Sequence, residues 1–92
     1  MELLDHDARA SFLDEHPAWS IEGETLHRTY DHSSFAAAIG FVAAVGVLAE
    51  KAVHHPDIDI RYTNVSISLT THDAGGLTPK DVTLARQIDA LR

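Results

Sequence analysis

The chain has 92 residues, 45% of them hydrophobic, a formal net charge of −7 and no cysteine. That length allows one domain, burying about 60–65% of its unfolded surface, and the missing thiols exclude disulfides, thiolate metal sites and a cysteine nucleophile. The acidic balance argues against a nucleic-acid-binding surface and against adhesion to anionic membranes.

Met1-Glu2-Leu3-Leu4-Asp5 has no basic stretch followed by an apolar one, so no secretory signal is expected and the cytoplasm is the expected compartment. From about Asp5 to His16, Ala8, Phe12 and Leu13 recur at helical spacing until Pro17 interrupts them, which predicts a short amphipathic helix. Trp19 and Ile21 then alternate with polar residues, as do Leu26, Arg28 and Tyr30. The pattern predicts a hairpin turning near Gly23.

Ser33 and Ser34 offer N-caps for a long helix over about 34–53. Its stretch from Phe35 to Ala49 has fifteen residues and no polar side chain. A bilayer needs about 20, and two glycines with the flanking Glu50, Lys51 and His54 also favour a buried helix. Phe35, Ile39, Val42 and Val53 share one side, and Phe41, Val45 and Leu48 another. A small-residue stripe of Ala36, Gly40, Ala43 and Val47 lies between them. One sheet covers only one side of a helix, so a second subunit is expected on the other.

His54-His55-Pro56 ends this helix, because a residue before proline resists the α region. Ile58 and Ile60, then Val65, Ile67 and Leu69, predict two strands connected near Tyr62-Thr63-Asn64. The second strand sets Ser66, Ser68, Thr70 and His72 against its apolar face. Gly75-Gly76 makes a loop. Thr78 as N-cap, Pro79 at the first helical position and Asp81 in a capping box then open a helix carrying Val82, Leu84, Ala85, Ile88 and Leu91. The sum is αββαββα, a single α+β domain with a four-stranded antiparallel sheet and three helices on one face.

The candidate chemistry lies in the histidines, which equal Lys and Arg together at seven. Glu50 and His54 are four apart, so on a helix they are neighbours, and the carboxylate would favour the imidazolium and fix the ring. His55 points elsewhere, and His72 sits at a strand end before the Gly75-Gly76 loop. Three imidazoles at element ends suit proton transfer near neutral pH. Each also has a plain structural account. Adjacent histidines can cap a helix C-terminus, Asp81 is explained by its capping box, and Tyr62 by ordinary strand packing. Three His and a Glu could hold zinc, but the spacing resembles no compact zinc motif, so no metal site is expected.

The pattern Glu50-x3-His54-His55-Pro56-x5-Tyr62-x9-His72-x8-Asp81 closely resembles the signature of the pterin-4a-carbinolamine dehydratase family. The likeness extends to Trp19, the hairpin, Leu26-x-Arg28, Phe35 opening an apolar helix, and the Thr71-His72-Asp73-x-Gly75-Gly76-Leu77 turn. It covers roughly residues 3 to 91. The resemblance implies dehydration of 4a-hydroxytetrahydropterins to quinonoid dihydropterins in cofactor recycling, with no metal or organic cofactor. It implies His54, His55 and His72 as catalytic residues, with Glu50, Asp81, Tyr62, Pro56 and Thr71 supporting them or contacting substrate. The working assignment makes His54, partnered by Glu50, the proton donor to the leaving hydroxyl, while His55 or His72 takes the N5 proton or holds the ring. A homodimer or homotetramer is implied, built through the helix at 34–53 and a sheet edge. The competing expectation is a non-catalytic scaffold, a transcription or assembly cofactor keeping the same fold.

Overall fold

The computed structural model describes residues 2–92 in the order α1 (His6–Glu15), β1 (Ser20–Glu22), β2 (Thr25–Asp31), α2 (Phe35–Ala52), β3 (Asp57–Arg61), β4 (Asn64–Leu69), a 3-10 turn (His72–Ala74) and α3 (Pro79–Asp89). The strands form one antiparallel sheet ordered β1-β2-β4-β3. The expected αββαββα architecture is the observed one.

Local sequence accounts for the boundaries. Asp5 caps α1 by accepting from the Ala8 N–H at 2.8 Å, and Ser34 caps α2 by accepting from the Ala37 N–H at 3.0 Å. Gly23, with φ +62°, is the first residue of a two-residue turn joining Glu22 to Thr25, a conformation glycine adopts without steric cost. Thr78 and Asp81 form a reciprocal capping box at α3, with Pro79 at its first position.

β4 lies between β2 and β3, and its alternation sorts the two sheet faces. Val65, Ile67 and Leu69 are buried with Leu26, Tyr30, Phe41, Val45, Leu84 and Ile88 in one core that also takes in Phe12 and Trp19. Each fully buried aliphatic side chain contributes about 1.5–3 kcal/mol. The opposite face stays polar and open. There Ser66 and Ser68 meet Thr29 and His27 across the strands, at 2.9 and 3.0 Å. The helices therefore lie on one side of the sheet, as the sequence predicts.

α3 is tied to the hairpin through Asp89. Its carboxylate accepts from Trp19 Nε1 at 3.0 Å, from Arg28 at 2.9 Å and from the Tyr30 hydroxyl, with His16 at 3.5 Å. The Arg28 guanidinium also lies 4.3 Å from the Tyr30 ring centroid. Burial, then the hydrogen bond to Asp89, pushes the Tyr30 phenol well above its ordinary range. Nothing in the sequence patterning singled out Asp89, because its hydrogen-bond donors Trp19, Arg28 and Tyr30 are 59 to 70 residues away along the chain, and His16 is farther still.

α2 packs on the sheet through Ala38, Phe41, Val45 and Ala49. By length and composition alone it is apolar enough to cross a membrane, but this docked face forms part of the domain core. Its other side is exposed: Phe35, Ile39 and Val47 are 51%, 43% and 69% accessible, beside exposed Ala36, Gly40 and Ala43.

Candidate active site

The site forms where α2 ends, β3 begins and β4 runs into the 3-10 turn. Val53 terminates α2 in the left-handed conformation, φ 50°. The His54 N–H then bonds back to the Ala49 carbonyl at 3.1 Å. This closing turn is one that glycine usually makes. Val53 throws His54 out of the helical path before the strand starts at Asp57.

That reversal corrects one expectation. His54 is not on the helix, so it is not a neighbour of Glu50. Glu50 Oε1 instead lies 2.7 Å from Nε2 of His55, and this pair is exposed. His54, 9% accessible, points inward, with Nε2 2.6 Å from Oδ1 of Asp81. The two carboxylates serve the two adjacent imidazoles in the opposite sense to the helical estimate.

Asp81 is completely buried. Its Oδ2 accepts from the Thr78 N–H at 2.9 Å and from the Thr71 hydroxyl at 2.8 Å, and the Thr71 and Thr78 hydroxyls lie 2.8 Å apart. A carboxylate that is only an acceptor requires a donor from His54, which assigns the proton to Nε2. Nδ1 is then the nitrogen left to meet a ligand. The capping box and the histidine support are therefore one structure. Thr71 is positioned by its bridge to Gly76, and its carbonyl takes the N–H groups of Ala74, Gly75 and Gly76.

His54, His55, His72, Thr71 and Lys80 line a cleft of about 240 Å³. A neighbouring cleft of about 320 Å³, between the end of α2 and α3, shares His54 and Lys80 with it. His72 opens the 3-10 turn rather than closing the strand and is exposed. Pro56, half-buried, leads from the cleft into β3. The structure thus gathers His54, His55, His72 and Thr71, with Asp81 behind His54 and Glu50 beside His55. It does not bring Tyr62 there, since that residue sits at the turn at the far end of β3. A wider depression, about 670 Å³, lies on the polar sheet face and contains none of the three clustered histidines. Among the described residues, no group of three or more His, Asp or Glu side chains has a metal-holding arrangement.

Sequence reasoning did not name Thr78 or Lys80 as site residues. Thr78 was legible as an N-cap. Its second use, bracing Asp81, follows only from the fold.

The family model described as pterin 4 alpha carbinolamine dehydratase matches residues 2–91. A relative from Chloroflexus aurantiacus is 55% identical over 91 residues, covering 99% of this chain and 98% of its own length. Another from Thermomicrobium roseum is 50% identical over the same number of residues, with the same coverage. Both carry the name "Putative pterin-4-alpha-carbinolamine dehydratase". A crystal structure described as a transcriptional coactivator/pterin dehydratase from Brucella melitensis superposes with TM-score 0.92 at 30% identity, covering 98% of both chains. A pterin dehydratase-like protein identified as a RuBisCO assembly factor in the alpha-carboxysome superposes with TM-score 0.69 at 27% identity, covering 80% of this chain and 88% of that one. The chain belongs to the pterin-4-alpha-carbinolamine dehydratase family.

Proposed function

We propose that the protein dehydrates 4a-hydroxytetrahydropterins to quinonoid dihydropterins by acid–base catalysis at the histidine cleft. The observation that carries this reading is the buried Asp81 carboxylate 2.6 Å from His54 Nε2, beside two exposed imidazoles. The reaction breaks the C4a–O bond, removes the proton from N5 and forms the C4a=N5 double bond, releasing water. It is redox-neutral and needs no electron carrier.

The His54–Asp81 pair suits the base. With Nε2 donating to Asp81, Nδ1 takes the N5 proton, and the carboxylate stabilises the imidazolium as it forms. His55 and His72, both open to solvent, supply the proton to the departing hydroxyl and recover it from water. This reverses the working assignment of His54 as acid, because its partner is a buried carboxylate rather than Glu50. Thr71 and Glu50 orient Asp81 and His55, and the pterin is the substrate rather than a cofactor.

The exposed apolar side of α2 and the free edge of β3 support a homodimer or homotetramer. A scaffold reading also draws on these surfaces and on the assembly-factor and coactivator descriptions of the structural relatives. The two readings separate on one measurement: the dehydration rate of freshly generated 4a-hydroxytetrahydropterin, with the spontaneous rate subtracted. Acceleration above background supports the enzyme, and none leaves the scaffold.

A further inference from the structure

We infer that each site is completed by Tyr62 of a second copy of the chain, delivered across paired β3 edges. The inference rests on the dehydratase reading of the cleft and names what forms its missing wall.

Tyr62 is 75% exposed and has φ 53°, a left-handed conformation unfavourable for a residue with a Cβ. Its phenol makes no hydrogen bond to any described residue. The two-residue turn joining Arg61 to Asn64 sets that φ, and it holds out in solvent an aromatic ring whose exposure the core of the single chain does not account for. Tyr62 also cannot reach the cleft of its own chain. Pro56 and Tyr62 stand at opposite ends of β3, about 20 Å apart at roughly 3.3 Å per residue.

β3 is the edge of the sheet and, among the described residues, pairs only with β4. All five of its residues are exposed. Ile58 and Ile60 sit opposite the buried Ile67 and Val65, so they belong to the helix side of the sheet and are only partly covered there. Asp57, Asp59 and Arg61 occupy the other side.

This edge is self-complementary. When two β3 strands pair antiparallel about a two-fold axis at Ile60, Arg61 of each copy faces Asp59 of the other, and the isoleucines form one apolar row. Tyr62 of each copy then lies opposite Ile58 of the other. A shift of the axis to Asp59 places Arg61 opposite Asp57 and Tyr62 opposite Pro56, but sets the two Asp59 carboxylates face to face. Centring on Ile58 would put Asp57 against Asp59, two like charges, and is excluded on that ground. The Ile60 register leaves no like-charged pair, the Asp59 register offsets its one such pair with two Arg61–Asp57 contacts, and both carry the tyrosine to within three residues of the other copy's His55. The cleft is open there, because His55 is exposed. A phenol ring suits the conjugated pyrimidine half of the quinonoid product, which flattens as C4a becomes trigonal.

The test uses the absence of native cysteine. Tyr62→Cys combined in one chain with Ile58→Cys should give a covalent dimer on mild oxidation. Tyr62→Cys with Pro56→Cys does so if the axis lies at Asp59. No covalent dimer from either pair overturns the inference. Function is tested by mixing. Tyr62→Ala should lower kcat/KM about tenfold, chiefly through KM, and His72→Ala should remove the histidine contribution. When the two variants are co-expressed, half of the dimers are mixed and each mixed dimer holds one intact site. Activity should then return to about a quarter of wild type. Activity no higher than the mean of the two parents, or an undiminished Tyr62→Ala variant, overturns the inference. If the wild-type chain itself shows no dehydratase rate, the dehydratase reading fails, and the cross-link alone decides the geometry.

Discussion

Nε2 of His54 lies 2.6 Å from Oδ1 of Asp81, and the other oxygen of that carboxylate closes the capping box of α3. Asp81→Asn keeps an oxygen for the Thr78 N–H but no longer holds the imidazole in one tautomer. Its kcat should fall by about 10²–10⁴-fold, with the unfolding midpoint changed little. A rate within a few-fold of wild type would remove His54 from the proposed base role.

Val53 carries a branched side chain at φ 50° and is 75% exposed, so it makes few contacts to offset its backbone strain. Val53→Gly should stabilise the domain by roughly 0.5–1 kcal/mol, after allowing for the freer unfolded chain. Urea unfolding would show this as a higher midpoint at constant slope. A lower midpoint would mean that the valine makes contacts within an assembly that outweigh the strain.

Tyr30 gives the chain an alkaline limit. Its phenol is held protonated by burial and by the neighbouring Asp89 carboxylate. A group whose folded value is raised contributes stability that is fully present below its unfolded value of about 10 and is lost as pH rises beyond it. Wild-type stability should therefore decline above about pH 10. Tyr30→Phe should be less stable at neutral pH and lose less across the same alkaline range, measured as urea midpoints from about pH 8 to about pH 11. Parallel curves for the two proteins would contradict the linkage.

Gly40 lies on the exposed side of α2, and a Cβ built there meets nothing within 4 Å in the same chain. Gly40→Leu should leave secondary structure and cleft intact yet weaken helix-on-helix assembly by about 1–3 kcal/mol through overpacking. Sedimentation velocity would show a shift to smaller species. An unchanged distribution would move the assembly surface away from this stripe.

Much of the fold was legible because its signals are local. The Gly23 turn, the Thr78-Pro79-Asp81 helix start and the alternation of Val65, Ile67 and Leu69 each depend on neighbours within a few residues. The three histidines were legible as a group through family spacing. Their partners were not. The Glu50–His54 expectation assumed that helical geometry continued to residue 54, and one left-handed residue at Val53 undid it. A valine carries no outward sign of that conformation, whereas a glycine would have. Asp81 illustrates the converse: its capping box explained it locally, the family spacing implied a supporting role, and the return of His54 to the start of α3 shows which imidazole it meets.

That double employment bears on how function could be lost in related chains. A descendant that gave up catalysis but kept the domain as a scaffold would still need an acidic residue at position 81 to begin α3. The imidazoles at 54 and 72 would be free to drift first. Retention of Asp81 therefore says little about whether a relative is an enzyme, and a His54–His72 pair surviving above it says far more.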